Sequence, residues 1–363
     1  MTTVTIIGCG VIGAMLAYEL SKYELSQYEL NVTVLEAKSQ PAMGATGTAL
    51  GVMMAACSSK AKGPLVKLRL ASLSKYDRLI SELIAQTNRD ILYNRNGILN
   101  LYRSPEGKSK ARSLIEIRKE QGFVLQWLDQ AQITDQFPLW QTDSGLLSPC
   151  DRGVHPTQLV QALVDAATQN GVKFVWNAPV KSLEDLTSDR IVITSGLGAN
   201  ALLAPFLKNR SQDILQPVGG QALLVQVPNL NLQTIINAEN EDHSDINIVP
   251  LGNDCYWLGA TIEFERNQLP REANVSLLLE QAIAWCPSFN QAKVLETWAG
   301  DRPRPDGFQA PILGFLPEHP HILIAAGHYR NGVMMAPVTA EITRDLLLSG
   351  KSDLPWKSFA LTT

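Results

Sequence analysis

The residues able to do chemistry are gathered in two glycine-rich turns and a few arginines. The first turn is Gly8-Cys9-Gly10-Val11-Ile12-Gly13, preceded by the apolar run Val4-Thr5-Ile6-Ile7 and followed by a helical stretch through about residue 20. In such a strand–turn–helix Gly8 permits the tight bend, Gly10 lets the backbone approach a pyrophosphate, and Gly13 lets the helix pack on the strand. The helix N-terminus offers unpaired N–H groups and a partial positive charge to phosphates. A second strand over 32–35 ends in Glu36, a carboxylate where a ribose hydroxyl would be accepted. An unliganded βαβ turn is the alternative. Strand, turn, helix, strand and acid in that order favour dinucleotide binding. An acid at 36 disfavours a 2′-phosphate, and the motif alone does not separate NAD from FAD.

The second turn is Gly327-His328-Tyr329-Arg330-Asn331-Gly332, after a strand over 322–326 and before a helix opened by Ala336-Pro337 and running to about residue 348. A helix N-terminus there would face the pyrimidine side of a flavin, where negative charge builds on reduction. A simple NAD enzyme has no need of this second unit. The run of small residues over 44–54 is either a flexible loop or a place of close backbone approach to a large flat cofactor. Residues 298–307 read as a proline-rich loop carrying Arg302 and Arg304, of which Arg304 is assigned to the surface. The five cysteines are scattered with no CxxC pair, and His155, His243, His319, His321 and His328 have no metal-ligand spacing, so no metal is expected.

These groups must be positioned by an alternating α/β framework. Residues 14–28 read as the first helix with a polar extension, and Gly63-Pro64 starts a long helix. Strands over 91–93 and 97–102 are expected to pair about a turn at 94–97, and 108–121 to form a charged helix with a solvated face. A helix over 158–169 and strands over 172–176 and 190–194 predict a return to the opening parallel sheet. Residues 217–261 predict antiparallel sheet. A formal net charge of −4 argues against general nucleic-acid binding. No apolar run approaches the roughly 20 residues of a membrane span. The start shows no signal-peptide pattern, and a cytoplasmic protein with free thiols is expected.

The opening motif with Glu36, the loop 45–52, the His155-Pro156 helix start, Trp298-Ala299-Gly300-x-Arg302-Pro303 and Gly327–Gly332 with Ala336-Pro337 resemble, over essentially the whole chain, the D-amino acid oxidase family of glutathione-reductase-type flavoproteins. The similarity is greatest to its glycine oxidases of thiamine biosynthesis. The resemblance implies an α/β fold: a Rossmann-like FAD domain (1–85, 145–215 and 299–363) interleaved with an α+β substrate domain (86–144 and 216–298) built on an antiparallel sheet. It implies oxidation of a small amine or amino acid by hydride transfer to flavin N5, with O2 as acceptor, giving hydrogen peroxide and an imine. It sets FAD against Gly8, Gly10, Val11, Ile12, Gly13, Glu36, Ala37, Ala45, Thr46, Leu50, Gly51, Val52, Val180, Gly327, His328, Tyr329, Asn331, Gly332, Val333 and Met334.

The position matching Arg302 holds the substrate carboxylate in those relatives, and that matching Arg330 lines the same site. A planar guanidinium grips a carboxylate by two parallel hydrogen bonds. Orientation and electrostatics then carry the reaction without a strong base. Asn247 stands where a tyrosine commonly walls the pocket, which bears on the substrate more than on the reaction, and Leu50, Val52 and Met53 narrow the pocket from the other side. Covalent-flavin relatives use a cysteine near 300–306. This chain has none there, so FAD is expected to be non-covalent. A dehydrogenase using another acceptor and a non-catalytic flavin-binding protein are the alternatives. The oligomeric state stays open.

Overall fold

The computed structural model describes residues 2–24, 30–207, 212–240, 244–264 and 269–361. Thr2–Ile7 and Leu30–Leu35 pair in parallel and flank the helix Val11–Glu24. The sheet they begin has six strands in the order Ile312–Leu316, His319–Ala326, Arg190–Ile193, Thr2–Ile7, Leu30–Leu35, Lys173–Val175. All pair in parallel except the edge strand Ile312–Leu316. The predicted return of 172–176 and 190–194 to the opening sheet is what the structure shows. Alternation along the first strand sends Val4 and Ile6 into the core under the helices Val11–Glu24, Pro64–Thr87, Pro156–Gln169 and Gly332–Ser349, and Ile7 into a smaller cluster on the other face. The polar extension expected at 25–28, and His243, lie outside the described residues.

A second sheet has eight strands, in the order Lys293–Pro305, Leu215–Gln226, Cys255–Gly259, Asp245–Gly252, Ile235–Glu239, Ile98–Leu101, Gly145–Ser148, Gln126–Leu128. It is antiparallel apart from the parallel pair Ile235–Glu239 with Ile98–Leu101. One face packs Leu99, Ile236, Ile248 and Leu258 against Leu278, Ala282 and Trp285 of the helix Glu272–Trp285.

Several local expectations are corrected. Tyr93–Asn94 and Ile98–Leu101 do not pair with each other; the first joins Arg152–Val154 in a small three-stranded sheet. The helix over 108–121 is Pro105–Glu120, and its face is not wholly solvated. Arg118 is fully buried and donates to the carbonyls of Ala56, Ser58, Lys60 and Ala61. Residues 298–305 form strand, not loop, because they lie on the sheet edge, where proline costs no ladder bond. The last helix begins at Gly332, five residues before Pro337. A proline there leaves the Val333 carbonyl without its helical donor. The Tyr76 hydroxyl donates to that carbonyl instead, and Ser72 Oγ accepts from Val338 N at 3.4 Å.

Among the described residues no helix is long and apolar enough to cross a membrane, and no group of three or more His, Cys, Asp or Glu side chains could hold a metal ion. All five cysteines are free.

Candidate active site

One cavity of about 1460 Å³ opens at the carboxyl ends of four parallel strands, lined there by Ile7, Leu35, Thr194 and Ala326, and continues onto the inner face of the eight-stranded sheet. Carboxyl ends of parallel strands are where open α/β sheets bind ligands. The opening glycines sit in this rim. Gly8 has φ 99°, and a Cβ on it would lie 2.8 Å from Ser195 Cα. Gly13 is the one expected cofactor residue outside the cavity lining: a Cβ there would come within 2.0 Å of Gly8 O, so its work is the close helix–strand packing. Thr46 Oγ1 accepts from Val11 N at 3.0 Å and ties the small-residue loop to the first helix. Glu36 accepts from Cys9 N at 2.7 Å and Lys38 N at 2.8 Å, which fixes its carboxylate at the strand end while leaving each oxygen a further acceptor site.

The other expected cofactor residues, from Ala37, Ala45, Leu50, Gly51, Val52 and Val180 to the 327–334 segment, also line the cavity. Gly51 has φ 68° and no room for a side chain, since a Cβ would meet Val154 O. Trp298 Nε1 donates to Thr48 O at 3.1 Å and pins the same loop from the edge strand. Across the cavity Tyr329 holds φ 53°, a left-handed conformation that is uncommon outside glycine. His328 is buried, with Nε2 2.9 Å from Thr339 Oγ1, and burial lowers its pKa to about 3, so it is neutral. Gly332, Val333 and Met334 bring the first turn of the last helix to the wall, and Asn331 makes no side-chain cap there.

At the sheet end, Arg302 lies across Gly220, where a Cβ would stand 2.2 Å from Nη2. Its Nη1 donates to Gly219 O at 2.8 Å and Thr261 O at 3.2 Å. Burial and the neighbouring Arg330 lower its pKa. Arg330 Nη2 donates to both carboxylate oxygens of Asp245, at 3.1 and 3.0 Å. Asn237 Nδ2 donates to Asp245 Oδ2 at 3.0 Å and to Asn247 Oδ1 at 3.1 Å. The structure therefore brings Arg302, Arg330 and Asn247 to one cavity, with Arg330 already paired and Arg302 hydrogen-bonded to carbonyls. Arg304 stands apart, exposed and over the Phe264 ring.

A family model described as DAO, FAD dependent oxidoreductase, matches residues 3–346. The chain belongs to this family. It is 29% identical to a protein named glycine oxidase from Geobacillus kaustophilus, over 99% of this chain and 96% of the relative. It is 30% identical to the bifunctional protein ThiO/ThiG of Synechocystis, over 96% of this chain but 52% of that relative, so it spans about half of that longer protein. Among solved structures it is similar to glycine oxidase from Geobacillus kaustophilus, with a TM-score of 0.87 and 27% identity, covering 100% of this chain and 99% of the other. An L-proline dehydrogenase from P. horikoshii shares the fold, with a TM-score of 0.83 at 19% identity, covering 98% of this chain and 95% of the other.

The residues present fit the family's FAD. The first and last helices both begin at the cavity, the last without a side-chain cap, the glycines leave room for close backbone approach, and Glu36 stands at the strand end where a ribose hydroxyl would be accepted. Sequence reasoning missed Thr46 as the tie to Val11, the Asn237–Asp245 link, and Arg69 and Asn100 deeper in the cavity. A signal was present for the asparagines. Asn100, Asn237 and Asn247 each interrupt an apolar strand, in Ile98-Leu99-Asn100-Leu101, Ile235-Ile236-Asn237-Ala238 and Ile246-Asn247-Ile248. Period-2 alternation puts all three on the cavity face while their neighbours fill the core behind.

Proposed function

We propose that the protein is an FAD-dependent oxidase of a small amine or amino acid, of the glycine oxidase kind, acting on a CH–NH2 group. The observation that carries this is Arg302: a guanidinium on the cavity wall, mostly desolvated, with carbonyls and no carboxylate among its described hydrogen-bond partners. A substrate carboxylate is the natural complement of that charge. FAD, when bound, supplies the hydride acceptor, and dioxygen is the proposed final acceptor. Arg302 then fixes the substrate's carboxyl end, so that its Cα is presented in one orientation. Arg330, held by Asp245, adds positive potential on the same side, and Asn247 can donate from Nδ2 because its Oδ1 is engaged by Asn237. The rim residues would hold the cofactor, with Gly13 acting through packing.

The proposal includes non-covalent FAD, since Cys57 is the cysteine on the described lining and burial pushes its thiol well up, which keeps it protonated. It also includes the two-domain division 1–85, 145–215, 299–363 and 86–144, 216–298. The six-stranded sheet draws all its strands from the first set, which supports it; Gly145–Ser148 and the end of Lys293–Pro305 reach across into the other sheet. A cytoplasmic setting and a role in thiamine synthesis extend the same reading.

The test is to mix FAD-loaded protein anaerobically with glycine, sarcosine, D-alanine and D-proline and follow the visible flavin band. Bleaching by one of them, restored by air with stoichiometric peroxide, is expected. Restoration by a dye but not by air makes the protein a dehydrogenase, and a band that neither these amines nor longer D-amino acids bleach removes the amine oxidase reading. Arg302→Lys loses the bidentate fork and is expected to lower kcat/KM roughly 10- to 150-fold, the equivalent of ~1.5–3 kcal/mol. An unchanged kcat/KM would show that Arg302 does not hold the substrate.

A further inference from the structure

Beyond Arg302 the cavity continues along the inner face of the eight-stranded sheet to a second buried arginine. Asn247, Asn237 and Asn100 lie side by side on three adjacent strands, in register with one another, and form a polar floor. Two interstrand spacings put Asn100 about 10 Å from Asn247. At the far end stands Arg69, on the helix Pro64–Thr87. Its Nη2 donates to Met54 O, while its buried Nε has no partner. Asn100 is 2% exposed, and its Nδ2 is likewise buried without a well-formed hydrogen bond among the described residues; the weak acceptor sulfur of Cys57 is beside it.

The charges around this end do not balance. Arg69 and Arg118 both bear on one buried carboxylate, Asp151, which is already engaged by the backbone N–H groups of Ala55, Ala56 and Cys57. Cys57 supplies no negative charge, because burial and Asp151 keep its thiol protonated. At the rim Glu106 pairs with Lys110 at 2.6 Å, and Glu239 accepts from Ser104 Oγ at 3.0 Å. Lys60 adds a further cation to the lining. The deep end holds a buried guanidinium beside an amide donor, each with an unpartnered N–H group, in the same cavity that Arg302 lines.

We propose that Arg69 and Asn100 form a second anion subsite, which takes a carboxylate at the far end of an elongated amino acid whose α-carboxylate sits on Arg302. The proposal rests on the amine oxidase reading for the α-end of that substrate. Glycine and sarcosine are too short to reach both arginines. A D-amino acid with an acid at the end of several methylenes spans the floor, its chain passing over the asparagines.

Two measurements test this, and the first fails separately from the oxidase reading. The first is equilibrium binding to the FAD-loaded enzyme, followed by the shift of the visible flavin spectrum, with pimelate and adipate against the monocarboxylates hexanoate and pentanoate. It needs no turnover. Tighter binding of the diacids by tenfold or more, lost in Arg69→Met and weakened in Asn100→Ala, is expected. Equal binding of diacids and monoacids overturns the subsite even if every amine fails to reduce the flavin. The second is kcat/KM for D-2-aminoadipate and D-2-aminopimelate against neutral D-norleucine. A preference of at least tenfold for the acids is expected, collapsing towards unity in Arg69→Met and partly kept in Arg69→Lys. A preference that survives Arg69→Met would place the second carboxylate elsewhere. Should Arg69→Met not fold, Asn100→Asp puts a carboxylate where the ligand's would lie. It must abolish the diacid preference, and retention of that preference overturns the proposal.

Discussion

His328 shows how a single side chain beside the cofactor wall can set the acid limit of the fold. Its imidazole is enclosed next to Thr339, and the cost of burying a charge lowers its pKa from the ordinary 6.5 to about 3. The unfolded chain binds a proton there below about pH 6.5 while the native protein does not until about pH 3. Stability from this group is therefore full above pH 6.5 and falls as the pH drops through that window, by up to ~1.4 kcal/mol per pH unit. His328→Asn removes the titration but keeps a polar partner for Thr339. Urea unfolding at pH 7 and pH 5 is expected to show the parent losing about 2 kcal/mol more than the variant over that interval. Equal losses would mean that His328 is not buried as neutral imidazole. Residue-level roles of this kind were half legible. Gly8, Gly10 and Glu36 stand out in the sequence because a dinucleotide-type βαβ turn favours those types at that spacing, and all three line the cavity. His328 looks like any loop histidine until Thr339 and the burying helix are in place.

The helix Gly332–Ser349 shows the limit of reading elements from local rules. Pro337 is a good first-turn residue, and the sequence suggests a helix opening there. The structure starts it at Gly332 because the cost of an internal proline is met from outside: Tyr76 donates to the Val333 carbonyl, and Ser72 takes the Val338 N–H. Both come from Pro64–Thr87, some 260 residues earlier in the chain and so invisible to a local pattern. Tyr76→Phe keeps the packing and leaves that buried carbonyl without a donor, so it is expected to cost ~1–3 kcal/mol in denaturant unfolding. A cost within error of zero would show that the carbonyl finds another partner. The same physics explains the misread edge. Residues 298–305 carry the prolines of a loop, but an edge strand needs only one row of ladder bonds. The strands at 93–94 and 98–101 were visible as strands, yet their partners were not, since Ile98–Leu101 pairs with a segment near residue 237.

At the scale of the whole molecule, the cavity is where the two sheets become one machine. Its walls are the ends of the parallel strands on one side and the asparagine-bearing face of the eight-stranded sheet on the other. Its lining draws on segments from residue 7 to residue 334, so a dinucleotide seated there would find its site only when they are assembled. Anything that binds the native state and not the unfolded chain stabilises by mass action, ~2.7 kcal/mol at one hundred times Kd. Adding FAD to the cofactor-depleted protein is therefore expected to raise Tm with the logarithm of free FAD, by several degrees over two decades of concentration, with both sheets melting in one transition. Glu36→Gln keeps the acceptor oxygen but gives up the charge at the ribose end. It is expected to shift the whole curve to higher FAD concentration and to lower the Tm of the depleted protein by the equivalent of ~1–3 kcal/mol, because the amide nitrogen cannot accept from Cys9 N or Lys38 N as the second carboxylate oxygen does. Differential scanning calorimetry across an FAD series reads both effects. A Tm indifferent to FAD would break the link between this cavity and the family's cofactor, and with it the assignment of the glycine rim. A Tm that rises for the parent and equally for Glu36→Gln would keep FAD and remove Glu36 from its recognition.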